Sequence, residues 1–203
     1  IVSIAGWMAI LLTDIYKSGD RVQLGGIKGD VIDVGVLRTT IMEIGGWVEG
    51  DLYNGRIVRI ANSFVFKEPV YNYSADFPFL WDEIKIPVKF GSDYDKARAL
   101  FKEIADKLTG ACASQSQAHW DNMVRKYNIE NASLKTMVTL RITDNWVEYT
   151  IRYVVNYRNR RSIQNALYTE ILSAISRSGG LVELASATID ITEVPTINIV
   201  SKS

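Results

Sequence analysis

The chain has 203 residues, 47% apolar and 23% charged, enough to bury a core in one or two domains. Lys plus Arg and Asp plus Glu are both 23, so no overall field favours nucleic acid or another polyanion. A single cysteine, Cys112, excludes an internal disulfide, and a single histidine, His119, excludes a multi-histidine metal site.

Residues 1–12 carry no charge. As a helix they rise about 18 Å, whereas a membrane span takes about 20 apolar residues. Alone, the segment reads as either a buried helix or part of a membrane helix, and a first residue other than Met points to a piece of a longer chain. Charged residues follow from Asp14 to Asp20. Residues 20–24 and 27–37 read as strands around a Gly25-Gly26 turn, with Gly29 and Gly35 marking a bulge or tight curvature. A Thr-rich strand runs from Arg38 to Ile44 and breaks at Gly45-Gly46. Asn54-Gly55 is a two-residue hairpin signal, since a type I′ turn needs positive φ at both central positions. Ile57, Val58 and Ile60 form the next strand. Five short strands within about 45 residues predict a compact β barrel or sandwich.

Two prolines in residues 67–79 predict a linker, and its aromatics predict that it packs on a neighbour. From Leu80 to Phe90 apolar residues alternate as in a half-buried strand, with Pro87 favouring an edge. Ser92 and Asp95 form a capping-box pattern. Ala97, Leu100, Phe101, Ile104 and Leu108 then keep helical steps up to a stop at Gly110. A second helix is predicted around 118–128. Strands follow at 136–142 and 147–157, then a helix from Ile163 to Gly179-Gly180 and a strand at 187–191. The order β-α-(α)-β-β-α-β matches a ferredoxin-like split βαβ sandwich. A surplus strand, Thr196 to Val200, offers an edge for pairing with another subunit.

Catalytic chemistry is poorly represented. The glycines at 25, 26 and 29 lack a following Lys-Ser/Thr and the Gly-x-Gly-x-x-Gly spacing of nucleotide loops. Cys112 and His119 are seven residues apart and have no orienting third group. Asp14, Asp20, Asp30 and Asp33 read as turn aspartates that cap or face water. Arg158-Asn159-Arg160-Arg161 is the sharpest basic cluster. It lies in a strand-to-helix turn without interleaved aromatics, so it reads as a solvated turn more than an RNA site.

The order of segments resembles the small-conductance mechanosensitive channel (MscS) family. Ile4-Ala5-Gly6 with the apolar run after it, then Lys17-Ser18-Gly19-Asp20, resembles the end of that family's pore helix and its "Pro-Phe-basic-x-Gly-Asp" exit, with Ile15 where proline is common. Gly25-Gly26-Ile27-Lys28-Gly29-Asp30-Val31 resembles its Gly-x-Val turn and strand. Val36-Leu37-Arg38-Thr39-Thr40 resembles its "Thr-Thr" strand, and Ile60-Ala61-Asn62-Ser63 its "Ile-Pro-Asn-Ser/Gly", with Ala61 replacing proline.

The resemblance implies an α+β chain: 1–18 the end of a pore-lining transmembrane helix, 19–66 a five-stranded Sm-like β domain, 67–79 a linker, 80–192 a ferredoxin-like α/β domain and 193–203 a C-terminal oligomerisation strand. It further implies a homoheptamer in the inner membrane, cytoplasmic from about residue 19. Such a channel opens under bilayer tension and releases ions and small solutes on hypo-osmotic shock, with no cofactor, metal or nucleic acid. The family's narrowest constriction would lie upstream of residue 1. Ala5, Gly6 and Ala9 would supply a small pore-lining face opposite Trp7, Met8 and Ile10. On a cage wall, Arg158, Arg160 and Arg161 would bias ion traffic. The competing classes are a ring-forming Sm-like RNA-binding protein and a soluble scaffold or ligand-binding module. An enzyme is a distant fourth.

Overall fold

Twelve uncharged residues wind into α1 (Val2–Thr13), which ends where Asp14 turns left-handed at φ 50°. A short polar side chain tolerates that conformation better than most. The computed structural model describes residues 1–48 and 50–186. The predicted strands at 187–191 and 196–200, and with them the C-terminal oligomerisation strand, lie outside the described residues.

The first sheet is antiparallel and five-stranded. It contains β1 (Arg21–Leu24), β2 (Ile27–Val34), β3 (Arg38–Ile44), β4 (Tyr53–Ala61) and β5 (Tyr71–Asn72), in the order β4-β3-β2-β1-β5. Four of these strands fall where the sequence predicts them. The fifth comes from residues expected to be linker: β5 closes the β1 edge, and Tyr73 N–H donates to the Arg21 carbonyl at 2.8 Å. Asn54-Gly55 does not make a hairpin turn. It lies inside β4, and the reversal falls at residues 45–52. Glu43 and the Gly45 carbonyl accept from the Asn54 amide at 2.6 and 2.7 Å, so tertiary hydrogen bonds override the turn preference. The bulge in β2 sits between Val31 and Asp33, away from both expected glycines. Gly29 answers to a close approach instead: a Cβ there would stand 2.5 Å from the Ile41 side chain.

The first core gathers Val22, Leu24, Val31, Ile41 and Ile60 around Ile10 of α1 and Tyr16. A short 3-10 turn (Asn62–Phe66) follows β4 and supports α1.

The second sheet is antiparallel, in the order β6 (Phe79–Val88), β8 (Val147–Asn156), β7 (Met137–Ile142). Pro87 of β6 lacks a ladder donor but still accepts: Ala185 N–H donates to its carbonyl at 3.0 Å, and Leu184 bridges to Val88. Ile84, Ile86 and Val88 share a face with Tyr149, Ile151 and Tyr153, and α2 (Tyr94–Tyr127) and α3 (Arg160–Arg177) pack Phe101, Leu167 and Ile171 onto it.

Helix α2 departs from the expectation at both ends. Its N-cap is Asp93, whose carboxylate accepts from Lys96 N–H at 2.9 Å, while Ser92 Oγ accepts from Glu183 N–H at 3.2 Å. Gly110 does not stop it, and the two predicted helices are one of 34 residues. Beyond Gly110 the helix still gains burial, because Trp120 packs edge-to-face on Trp81 at 4.9 Å within a cluster with Phe79, Leu134 and Val154. That outweighs the roughly 1 kcal/mol penalty of one helical glycine.

Candidate functional site: the helix seat and the charged seam

Two features give the chain its functional geometry. The first is the seat of α1. Gly6 is buried directly over the 3-10 turn, and a Cβ there would lie 2.6 Å from the Asn62 carbonyl carbon. Only glycine lets the helix come this close. Asn62 is fully buried and braces the turn: it accepts from Thr39 Oγ1 at 2.9 Å and donates to the Gly35 and Val36 carbonyls at 2.7 and 3.2 Å. Tyr16, just past the helix, shares a hydrogen bond with Thr39 at 2.9 Å, and burial pushes its phenol upward. A run of hydrogen bonds thus joins the exit of α1 to the floor under Gly6.

The predicted small face is distributed over more than one side of α1. Gly6 and Ile10, one turn apart, form the buried side, so Gly6 lies with Ile10 and not opposite it. Ala5 is exposed and Ala9 half-buried, while Ile4, Met8, Leu11 and Leu12 remain open. No described helix is long and apolar enough to cross a membrane.

The second feature is the seam between the two sheets. Arg21 of β1 is 8% exposed and pairs twice with Asp30 of β2, at 2.7 and 3.0 Å; Tyr53 also donates to that carboxylate. Burial pushes Asp30 up, but the hydrogen bonds and charge of Arg21 outweigh it and hold the carboxyl below its ordinary range. Arg21 also donates to the Tyr157 carbonyl of the second half at 3.3 Å and lies 5.2 Å over its ring. Arg160 donates to Asp51 at 2.7 Å and to Asp82 at 2.9 Å. Burial raises Asp51, and the Arg160 hydrogen bond more than reverses it. A cavity of about 240 Å³ lies at the seam, walled by Arg21, Lys28, Asp51, Tyr73, Tyr157 and Arg160.

The basic cluster is therefore not uniformly solvated. Arg158 is exposed, 5.4 Å over the Tyr157 ring; Arg160 is half-buried between two carboxylates; Arg161 runs alongside Gly50. Sequence reading missed Asp51 and Asp82 as partners, since nothing in the spacing links a loop, a strand and a turn. Asp20, taken for a turn cap, is buried and accepts from Lys17 N–H, Asn72 and Ser74. Asp33 is exposed. Among the described residues no group of three or more His, Cys, Asp or Glu could hold a metal. Cys112 is half-buried against the aromatic cluster, where burial pushes its thiol up and disfavours the thiolate. His119 is exposed beside Phe79.

A helix seated on a small antiparallel sheet, followed by a second sheet under two helices, defines an α+β fold also found in solved MscS structures. Helicobacter pylori MscS in its closed state matches with a TM-score of 0.68 and 19% identity, over 96% of this chain and 66% of that one. Arabidopsis thaliana MSL1 matches at 0.56 and 16%, over 92% and 58%. Residues 1–75 match the family model "Mechanosensitive ion channel, beta-domain". An uncharacterised MscS family protein of Archaeoglobus fulgidus is 31% identical over 91 residues, 45% of this chain and 29% of that protein. Another from Synechocystis, slr0639, is 24% identical over 112 residues, 55% of this chain and 34% of its own length. The likeness to the mechanosensitive channel family model thus rests on residues 1–75, and the chain spans about a third of the length of these curated relatives.

Proposed function

We propose that the chain is the pore-exit and cytoplasmic part of a subunit of a mechanosensitive ion channel, which opens under membrane tension to release ions and small solutes on hypo-osmotic shock. The observation that carries this reading is the match of residues 1–75 to the mechanosensitive channel β-domain, the stretch in which Gly6 seats an uncharged helix on a small sheet. A tension gate needs two states of different membrane area, and a helix held at one end by close packing is a means of coupling them.

In this reading α1 ends a pore-lining helix that begins upstream, with Ala5 and Ala9 towards the conduit and Gly6 towards the sheet. The first sheet is an Sm-like β domain. The second, whose strand order β6-β8-β7 fits a split βαβ unit, is the start of a ferredoxin-like domain. Seven copies assemble in the inner membrane, with residues from about 19 onward forming a cytoplasmic vestibule. Arg158, Arg160 and Arg161 contribute to its wall charge, Arg160 with its field offset by Asp51 and Asp82.

The test is survival of channel-deficient bacteria carrying the full-length parent protein through a sudden fall in osmolarity. Restored survival supports the reading. Survival no better than the empty vector, at equal membrane expression, removes it.

A further inference from the structure

One side chain of the second half holds a carboxylate of its own half and reaches across to a carboxylate of the first. Arg160 holds Asp82 of β6 through Nε at 2.9 Å and Asp51 of the β3–β4 loop through a terminal nitrogen at 2.7 Å. The Asp82 end is anchored within the second half, accepting from Tyr153 Oη at 2.9 Å and from Gln164 Nε2 at 3.2 Å. The Asp51 end belongs to a loop that is itself tied down: Gly45 N–H donates to the Leu52 carbonyl at 3.0 Å, and Glu43 at its base is clamped by Arg56 and Asn54. A planar guanidinium has the fork geometry to hold two carboxylates at once, which an ammonium lacks.

The placement of Arg160 is not explained by its helix. It is the first residue of α3, where the helix dipole disfavours a cation. Its two carboxylates offset that cost, so the residue answers to the seam. The Arg21 contact with the Tyr157 carbonyl is longer at 3.3 Å, and the Arg21 charge is already paired with Asp30.

We propose that Arg160 is a positioning residue: a two-armed pin that fixes the loop at residues 45–52, and with it the α1-bearing sheet, at one orientation to the second sheet. The pin concerns this chain's own geometry. Only its consequence for a channel, a fixed angle between the pore helix and the vestibule, rests on the reading above.

The test is a distance measurement on the purified chain. Spin labels go on cysteines placed at exposed Ile57 of β4 and exposed Thr139 of β7, in a Cys112→Ser background. Arg160→Gln is expected to broaden the inter-sheet distance distribution. The Gly45 and Trp47 amides should exchange roughly tenfold faster, while strand amides of each sheet keep their protection. Arg160→Lys, which keeps the charge but loses the fork, should fall between. A folded Arg160→Gln chain with an unchanged distribution overturns the proposal. Should that variant fail to fold, Asp51→Asn decides, since it cuts one arm at a partly exposed loop residue: broadening supports the pin, and an unaltered distribution refutes it. Because no membrane is involved, this outcome is independent of whether the parent protein conducts.

Discussion

The two sheets are held in shape by different forces. The second buries fourteen residues in one apolar cluster, under α2 and α3. The first buries seven, one of them borrowed from α1, and places Asp20, Arg21, Asp30, Thr39, Glu43 and Asn62 out of solvent among them. Apolar burial is non-directional, and the second half adds directional contacts chiefly around Asp82, held by Tyr153, Gln164 and Arg160. Buried hydrogen bonds are directional and costly to leave unmade, so the first half defines where α1, the 3-10 turn and the seam must sit. The half that seats α1 is the one that buries more polar side chains.

Substitutions can break that contrast. The largest effect is expected at Phe101, fully buried and edge-to-face with Tyr149 at 5.3 Å. Phe101→Ala should cost about 3–5 kcal/mol in a urea melt, with the loss confined to amides of the second half. Gly6→Val should cost about 1–3 kcal/mol through overpacking against the Asn62 backbone. It should also expose α1 to proteolysis while leaving second-half exchange unchanged; an intact α1 would deny that Gly6 is the seat.

Asn62→Ala should cost about 1–2 kcal/mol, because it strands Thr39 and the Gly35 and Val36 carbonyls. Here the marker is faster exchange of the backbone N–H at position 62, which in the parent donates to the Leu37 carbonyl at 3.1 Å. The smallest effect is with pH. Asp30 and Asp51 are held below the usual carboxylate range, so they bind protons more readily in the unfolded chain. Their stabilisation is full above the unfolded value, about pH 4, and is lost as pH falls through the lower folded values. Asp30→Asn should flatten the acid limb of the stability curve. An acid limb identical to the parental one would place the titrating groups elsewhere.

How far the sequence led follows the same division. Period-two and helical patterns located β1 to β4, β6, β7, β8 and the apolar stripe of α2, because burial of alternating or helically spaced side chains is written locally. What failed was tertiary. Gly110 looked like a helix stop, but the aromatic cluster around Trp120 rewards continuing. Asn54-Gly55 looked like a turn, but Glu43 and the Gly45 carbonyl claim the Asn54 amide. Tyr71 and Asn72, in a proline-flanked stretch, pair with β1 through an edge that local composition does not reveal. Of the candidate residues, Gly6 was marked for its size, yet its partner Asn62 was known only as part of a resemblance. The Asp51–Arg160–Asp82 bridge joins pairs 109 and 78 residues apart, beyond the reach of any spacing rule.

The central proposal is that this chain is part of a conduit worked by bilayer stretch. Single-channel recording from membrane patches containing the full-length parent, under stepped suction, tests it most directly. Discrete currents that switch on above a threshold pressure, and shift in threshold when Gly6 is enlarged, are the expected result. Patches that carry the protein yet stay electrically silent up to rupture would contradict it.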